Sequence, residues 1–235
     1  MQLDDITVVI PTKNEMANTP VFLQSLPEDV FLIVVDASQD RTPKLINDLR
    51  PERTLVIRHP GNITEARQLG AYLTTTPWIL FSDADVHFSA DYFSRVGGYQ
   101  DWDLVYGAKL SRDEYVSYYR NIALGQQILQ RVHIPAASGS NLLIHRTAFS
   151  RCGGFDLRLN VNEDSELGWR VKRNGFKTTF APDLIVYAHD HRRLRRGTWK
   201  KTLHSLVRCM LLYLNCMPPR LRSQDWGYWN QQNSR

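Results

Sequence analysis

The stretch WILFSDADVHF (78–88) runs an apolar segment of strand length straight into two carboxylates, Asp83 and Asp85. Residues i and i+2 of an extended chain point to the same face. Extended geometry through residue 85 would set the two charges side by side, where they repel and call for a cation. A strand that simply ends in a turn is the plainer alternative, because Asp favours turns and helix starts. Polar groups elsewhere weigh in. Asn14 and Glu15 follow the apolar run ITVVI (6–10), and Asp36 follows FLIVV (31–35). Acids that collect after several strands of one sheet make a better cation site than a lone DxD.

The elements that would position them are legible from periodicity. Short β-rich runs at 6–10, 31–35, 54–58, 78–82 and 103–110 alternate with helical patterns. Thr19-Pro20 and Thr42-Pro43 read as an N-cap followed by proline at the first helical position. ITEARQLGAYLTT (63–75) carries Leu69, Tyr72 and Leu73 at helical spacing. The economical reading is β-α-β-α-β-α-β with a mainly parallel sheet. Right-handed crossovers then bring the C-terminal ends of the strands to one edge, where open sheets bind ligands. Further on, 112–132 reads as a helix and SGSNLLIHR as a loop and strand. NEDSELGWRVKRNGF reads as a helix closed by Gly175, and KTTFAPDLIVYAHDH as strand, turn, strand.

Bulk properties exclude several classes. The 235 residues, 43% hydrophobic, suit a globular α/β protein rather than a disordered chain. No apolar run reaches membrane-spanning length. The start lacks a basic n-region, and the three cysteines, Cys152, Cys209 and Cys216, are scattered, so a reducing, cytoplasmic setting is expected. The net charge of +5 is uneven: residues 189–235 carry ten Lys/Arg against two acids, leaving 1–188 slightly acidic at −3.

Seven motifs in order carry a resemblance: VVIPTKNE, VVDASQDRT, GNITEARQLGA, FSDADV, SGSNLLIHRTAFSRCGGFD, NEDSELGWRVKRNGF and VYAHDHRR. Over residues 5–195 the chain resembles family 2 glycosyltransferases of the GT-A fold. These transfer a sugar from a nucleotide diphosphate donor with inversion, usually with a divalent metal, Mn²⁺ or Mg²⁺. The resemblance implies a catalytic domain over 1–195, with a nucleotide-sugar half to about 110 and an acceptor half beyond. It implies Asp85 as metal ligand with His189 (His191 less so) and Asp83 near the ribose or a metal-bound water. Pro11, Thr12, Asn14, Glu15, Asp36 and Arg67 would meet the nucleotide, and Gly139, Ser140 and Asn141 the donor sugar. Asp164 is implied as general base. Glu163 and Glu166 are expected to be structural or to meet acceptor, and Trp169 to be a core residue. The second motif departs from the family's D-D-G-S-T-D: Asp36-Ala37-Ser38-Gln39-Asp40 is one residue shorter and lacks the second acid.

Residues 198–216 repeat apolar positions about every third and fourth residue, with Lys200, Lys201, His204, Ser205 and Arg208 on the other face. This reads as a basic amphipathic helix, which can lie on an anionic bilayer. The expected partners are a nucleotide-sugar donor (UDP favoured) and a sugar or lipid-linked acceptor. An anionic membrane surface is expected to meet 191–216 at the inner face of the membrane, with a homodimer through that face as the alternative. No nucleic acid is expected, since no recognition fold accompanies the charge. Two rival readings are a catalytically idle nucleotide-sugar-binding or tethering subunit and a nucleotidyltransferase. The second lacks its Gly-rich basic loop after the first strand.

Overall fold

A computed structural model describes residues 1–195 and 198–224, with the side chains of 193 and 198–201 left aside. In chain order the elements begin with β1 (Ile6–Thr12), α1 (Thr19–Gln24), β2 (Phe31–Asp36), α2 (Thr42–Leu49), β3 (Thr54–Arg58) and α3 (Ile63–Leu73). Next come β4 (Trp78–Ser82), β5 (Val86–Phe88), α4 (Tyr92–Arg95), β6 (Leu104–Ser111), α5 (Val116–Arg131), β7 (Asn141–His145) and α6 (Arg146–Arg151). The chain continues with α7 (Glu163–Arg173), β8 (Thr178–Ala188), α8 (Arg192–Arg195), α9 (Thr198–Tyr213) and α10 (Pro219–Arg222).

The first four predicted strands and their three intervening helices form as read. They pair in the order β3-β2-β1-β4, all parallel, and β7, β6, β8 and β5 extend the same sheet. β1 and β4 are buried along their whole length, which is why they read as continuous apolar runs. The two layers of core lie on opposite faces of the sheet. One gathers Val8, Ile10, Phe22 and Leu80, and the other Val9, Phe81, Phe149 and Leu167. α3 opens on a reciprocal cap in which Asn62 accepts from Glu65 N and the Glu65 carboxylate accepts from Asn62 N. α1 and α2 start at Thr19 and Thr42 rather than after them. The threonine hydroxyls are spent locally, Thr19 Oγ1 donating to Glu15 O and Thr42 Oγ1 to Asp40. Gly175, at φ +85°, ends α7 as read.

Three features differ from the sequence reading. β7 runs antiparallel between β4 and β6, and β6 then pairs parallel with β8. The expected strand-turn-strand at 177–188 is one strand with a register break. Gly107 faces Ala181 and Ala108 faces Ile185, so Pro182, Asp183 and Leu184 are absorbed as a bulge. The chain also does not stay extended through the DxD: residues 84–85 turn, and β5 starts at once, antiparallel to β8. These directions bring the ends of β1, β2, β4, β6 and β8 and the starts of β5 and β7 to a single edge of the sheet.

α9 inverts the expected polarity. Arg208 is 1% exposed and turned inward, whereas Leu203, Leu206, Val207, Met210 and Leu214 are 44–67% exposed. The Arg208 guanidinium donates to Asn162 Oδ1 and to the carbonyls of Val161, Leu221 and Arg222, anchoring the helix to the start of α7. The aromatic C-terminus, including Trp226, Tyr228 and Trp229, lies outside the described residues.

Candidate active site

The shared edge holds the predicted carboxylates, each with its own cation. Asp83 is buried and accepts from Arg67 Nη2 at 2.7 Å and Ser140 Oγ at 2.6 Å. Asp85, half-buried, faces Lys109 Nζ at 3.3 Å, and the same ammonium lies 3.4 Å from Ser140 Oγ. The repulsion expected of the pair is therefore relieved by two different cations, one for each acid.

Arg67 is the link between the halves of the site. It is 3% exposed, and its Nη1 also donates to Glu163, at the start of α7. Its guanidinium packs flat on Gly139, where an added Cβ would sit 2.4 Å from the Arg67 Cζ. Glycine is required there by that close approach. Burial, and then the neighbouring Asp164, push the Glu163 carboxyl up to about 7, with Arg67 pulling the other way. Glu166, by contrast, forms an ion pair with Arg170 along the helix at 2.7 Å.

Asp164 sits beside this link, one residue on. Its Oδ2 accepts from Gly139 N at 2.6 Å and its Oδ1 from Ser165 N at 2.7 Å. Each oxygen keeps lone-pair capacity for another donor. The carboxylate thus borders the Gly139–Ser140 turn, whose serine also touches Asp83. Asn141, the third residue of that group, is otherwise engaged. It is 1% exposed, its Nδ2 donates to Ala108 O and Leu184 O, and its Oδ1 accepts from Tyr92 OH. Its side chain braces the β8 bulge.

At the β1 and β2 ends, Asp36 is buried and accepts from Thr12 Oγ1 at 2.8 Å and from Ser38 Oγ and Ser38 N. Asn14, at φ 56°, has its backbone N–H on Ser38 Oγ, and its side chain accepts from Gln39 N. In this way the shortened second motif is stitched to the first. Pro11 lies buried within β1. Glu15 is clamped by Arg192, whose Nη2 reaches both carboxylate oxygens at 2.8 Å, and by Asn18 at 2.6 Å. Burial raises its pKa against the pull of Arg192.

The two histidines separate cleanly. His191 is 2% exposed, with Nδ1 3.3 Å from Tyr119 OH and Nε2 3.0 Å from Asp113. Both of its nitrogens are committed to structure. His189 leaves β8 beside the DxD, its N–H donating to Asp85 O at 3.1 Å. Both its ring nitrogens are buried without a hydrogen-bond partner. Burial lowers its pKa, with Asp85 pulling up and His87 and Lys109 pulling down, so the neutral, ligand-competent ring is favoured. A borderline divalent cation fits this orphaned imidazole beside a carboxylate. Among the described residues no group of three or more His, Cys, Asp or Glu is arranged to hold a metal alone. The pair would need phosphate oxygens or water to complete its shell.

Lys109, His87 and Arg192 escaped the sequence reading. Lys109 left a signal, being the single charge in the otherwise apolar strand LVYGAKL. Arg192 left none, since it meets Glu15 across 177 residues. Trp169, expected in the core, is half-buried instead and lies against α9, its Nε1 donating to Tyr213 O at 3.2 Å.

Solved structures agree with this architecture. A mannosyltransferase from Pyrobaculum calidifontis, solved in complex with GDP-Man and Mn²⁺, superposes with a TM-score of 0.72 at 18% identity. The match covers 93% of this chain and 67% of that one. S. aureus TarS 1-349 in complex with UDP-GlcNAc superposes at 0.68 with 14% identity, over 94% and 73% of the two chains. The fold is therefore of the GT-A type. Pre-mycofactocin glycosyltransferase of Mycobacterium tuberculosis is 27% identical over 205 residues, 80% of this chain. The chain spans 43% of the length of that curated relative. Residues 7–164, well over half the sequence, match the profile described as Glycosyl transferase family 2. The chain belongs to that family.

Proposed function

We propose that the protein is an inverting, metal-assisted glycosyltransferase that moves a sugar from a nucleoside diphosphate donor, a UDP-sugar favoured, to an acceptor hydroxyl. The observation that carries this reading is the edge on which Asp83, Asp85 and the unpartnered His189 ring converge, one Gly139–Ser140 turn away from Asp164. Family membership and the nucleotide sugars in the two solved neighbours add support. One carries GDP-Man and the other UDP-GlcNAc, so they leave the base open, and the uridine preference stays with the sequence resemblance.

In this reading Asp85 and His189 would hold a divalent cation, whose chemistry would be charge neutralisation of the leaving diphosphate. Asp83, fixed by Arg67 and Ser140, lies by the ribose. Thr12, Asn14 and Asp36 line the nucleotide side with Pro11 and Glu15. Gly139 and Ser140 border the donor sugar, with Asn141 bracing them. The acceptor oxygen attacks the anomeric carbon from the face opposite the diphosphate. The carbon–oxygen bond to phosphate breaks with its electrons, and the hydroxyl proton passes to Asp164. A positioned base of this kind contributes ~10²–10⁴ in rate.

Peripheral membrane contact belongs to the same proposal. The outward apolar face of α9 and the basic sequence of 193–201 suit an anionic interface. Among the described residues no helix is long and apolar enough to cross a membrane.

The test is a melt with UDP or GDP, each with and without Mn²⁺, on the wild type and on Asp85→Ala. Ligand at ~100 times its dissociation constant should add about 2.7 kcal/mol. A metal-dependent shift with one base, lost in the variant, is expected. A well-folded protein with no shift for either nucleotide would leave the idle tethering subunit as the better reading.

A further inference from the structure

The cations of the active edge are not equally committed. Arg67 is 3% exposed, holds Asp83 at 2.7 Å and donates to Glu163 as well. Arg192 Nη2 meets both oxygens of Glu15 at 2.8 Å. Lys109 is held more loosely. Its Nζ stands 3.3 Å from Asp85 Oδ1 and 3.4 Å from Ser140 Oγ, beyond the roughly 2.7–2.9 Å of a well-formed charged N–H···O bond. The Ser140 hydroxyl gives its proton to Asp83 at 2.6 Å, so its oxygen is an acceptor for the ammonium. An ammonium has three donors, and these two oxygens leave one of them for a ligand. The side chains of Lys109 and Asp85 are 19% and 15% exposed, so each of these mostly buried charges relieves the other.

We infer that Lys109 is a placeholder cation: it is the counter-ion of Asp85 while no metal is bound, and it moves onto the donor's diphosphate when metal and donor arrive. A divalent cation drawn to about 2.1 Å from a carboxylate oxygen would repel an ammonium on that same carboxylate. The ammonium ends a flexible four-carbon stem, so side-chain rotation is enough to carry it from Asp85 to a phosphate oxygen. The balance of charge favours that destination. Asp85 cancels half the charge of a divalent ion, each phosphate of a nucleotide-sugar donor is negative, and the ammonium supplies the positive charge still missing. Cleavage leaves a further negative charge on the departing diphosphate, so a cation beside it favours the transition state over the bound donor. This inference rests on the transferase reading, since it adds a residue to the donor site of that same reaction.

The test compares the full-length wild type with Lys109→Met in two titrations. UDP and GDP are titrated calorimetrically in the presence of Mn²⁺. Mn²⁺ alone is titrated without nucleotide, followed by the electron paramagnetic resonance signal of the free ion. Losing one charged hydrogen bond should weaken the bound diphosphate roughly ten- to a hundredfold in Lys109→Met. Mn²⁺ alone should bind the variant at least as tightly as the wild type, because a competing cation has gone. Lys109→Gln, which also removes the charge, takes its place should the methionine variant fold poorly. Diphosphate affinity that the variant leaves unchanged overturns the inference. So does Mn²⁺ binding that weakens together with the nucleotide, since Lys109 would then only support Asp85. A wild type that binds neither UDP nor GDP sinks the transferase reading and this inference with it, whereas binding that the variant keeps sinks only the role of Lys109.

Discussion

His189 and His191 are two residues apart in one motif and have opposite surroundings. His191 has both nitrogens bonded, to Tyr119 and Asp113, while His189 has both buried and unpartnered. His189→Ala should abolish the Mn²⁺-dependent part of nucleotide stabilisation and leave the ligand-free melt nearly unchanged. His191→Ala should do the reverse, costing about 1–3 kcal/mol of stability for the lost hydrogen bonds to Tyr119 and Asp113. Strand alternation cannot tell them apart, since positions i and i+2 of an extended chain share a face and both residues in fact lie past the end of β8. Only the packing partners of His191, Asp113 and Tyr119, decide, and those come from 78 and 72 residues away. Glu163 gives a pH test. Its carboxyl is raised from the usual carboxylate range to about 7, so the folded state holds the proton that the unfolded state releases. Its contribution is full below about 4.5 and is lost as pH rises through about 7. Glu163→Gln keeps an acceptor for Arg67 and should flatten that decline in urea titrations between pH 4.5 and 7. An unchanged slope would mean that Arg67 keeps the group ionised.

At the scale of elements, what the sequence made legible was local. The 78–82 run, the helical spacing of 63–75 and the Gly175 stop each depend on neighbours within a few residues. β5 did not show, being three residues long and directly behind an aspartate. Nor did the antiparallel insertion of β7, because pairing partners are a long-range matter that a single strand's pattern does not encode. The β6–β8 bulge falls between these cases. Pro182-Asp183 looks like a turn, and it is one in the sense that the ladder skips it. Gly107 allows the skip: an added Cβ would meet Leu184 O at 2.0 Å and Asn141 Nδ2 at 2.3 Å. Gly107→Ala should cost about 1–3 kcal/mol in urea unfolding. Because Asn141 is displaced next to Ser140, it should also weaken nucleotide binding. A variant as stable as wild type would mean that the bulge relaxes freely and Asn141 has no bracing role.

Taken as a whole, the molecule is a slightly acidic domain with a strongly basic C-terminal segment, and the orientation of α9 gives that asymmetry a direction. A helix that merely closed over the domain would hide its leucines and solvate its arginine. Here Arg208 is turned inward, while Leu203, Leu206, Val207 and Met210, with Leu214 just past the helix, face out. The periodicity was legible, but which face turned inward was not, because the choice is made by the carbonyls of Val161, Leu221 and Arg222 that Arg208 satisfies. An outward apolar stripe in a segment whose sequence is rich in Arg and Lys matches an anionic bilayer, with each basic group near the surface worth roughly 1 kcal/mol. The protein should co-sediment with phosphatidylserine vesicles and much less with phosphatidylcholine ones, and release as salt shortens the screening length. Leu206→Ser combined with Met210→Ser should release it further while sparing the nucleotide-dependent melt, because both side chains project away from the domain. If the double variant stays on vesicles, the apolar face is not the contact. If the wild type ignores vesicles and sediments as a dimer that the variant dissolves, a second copy covers that face.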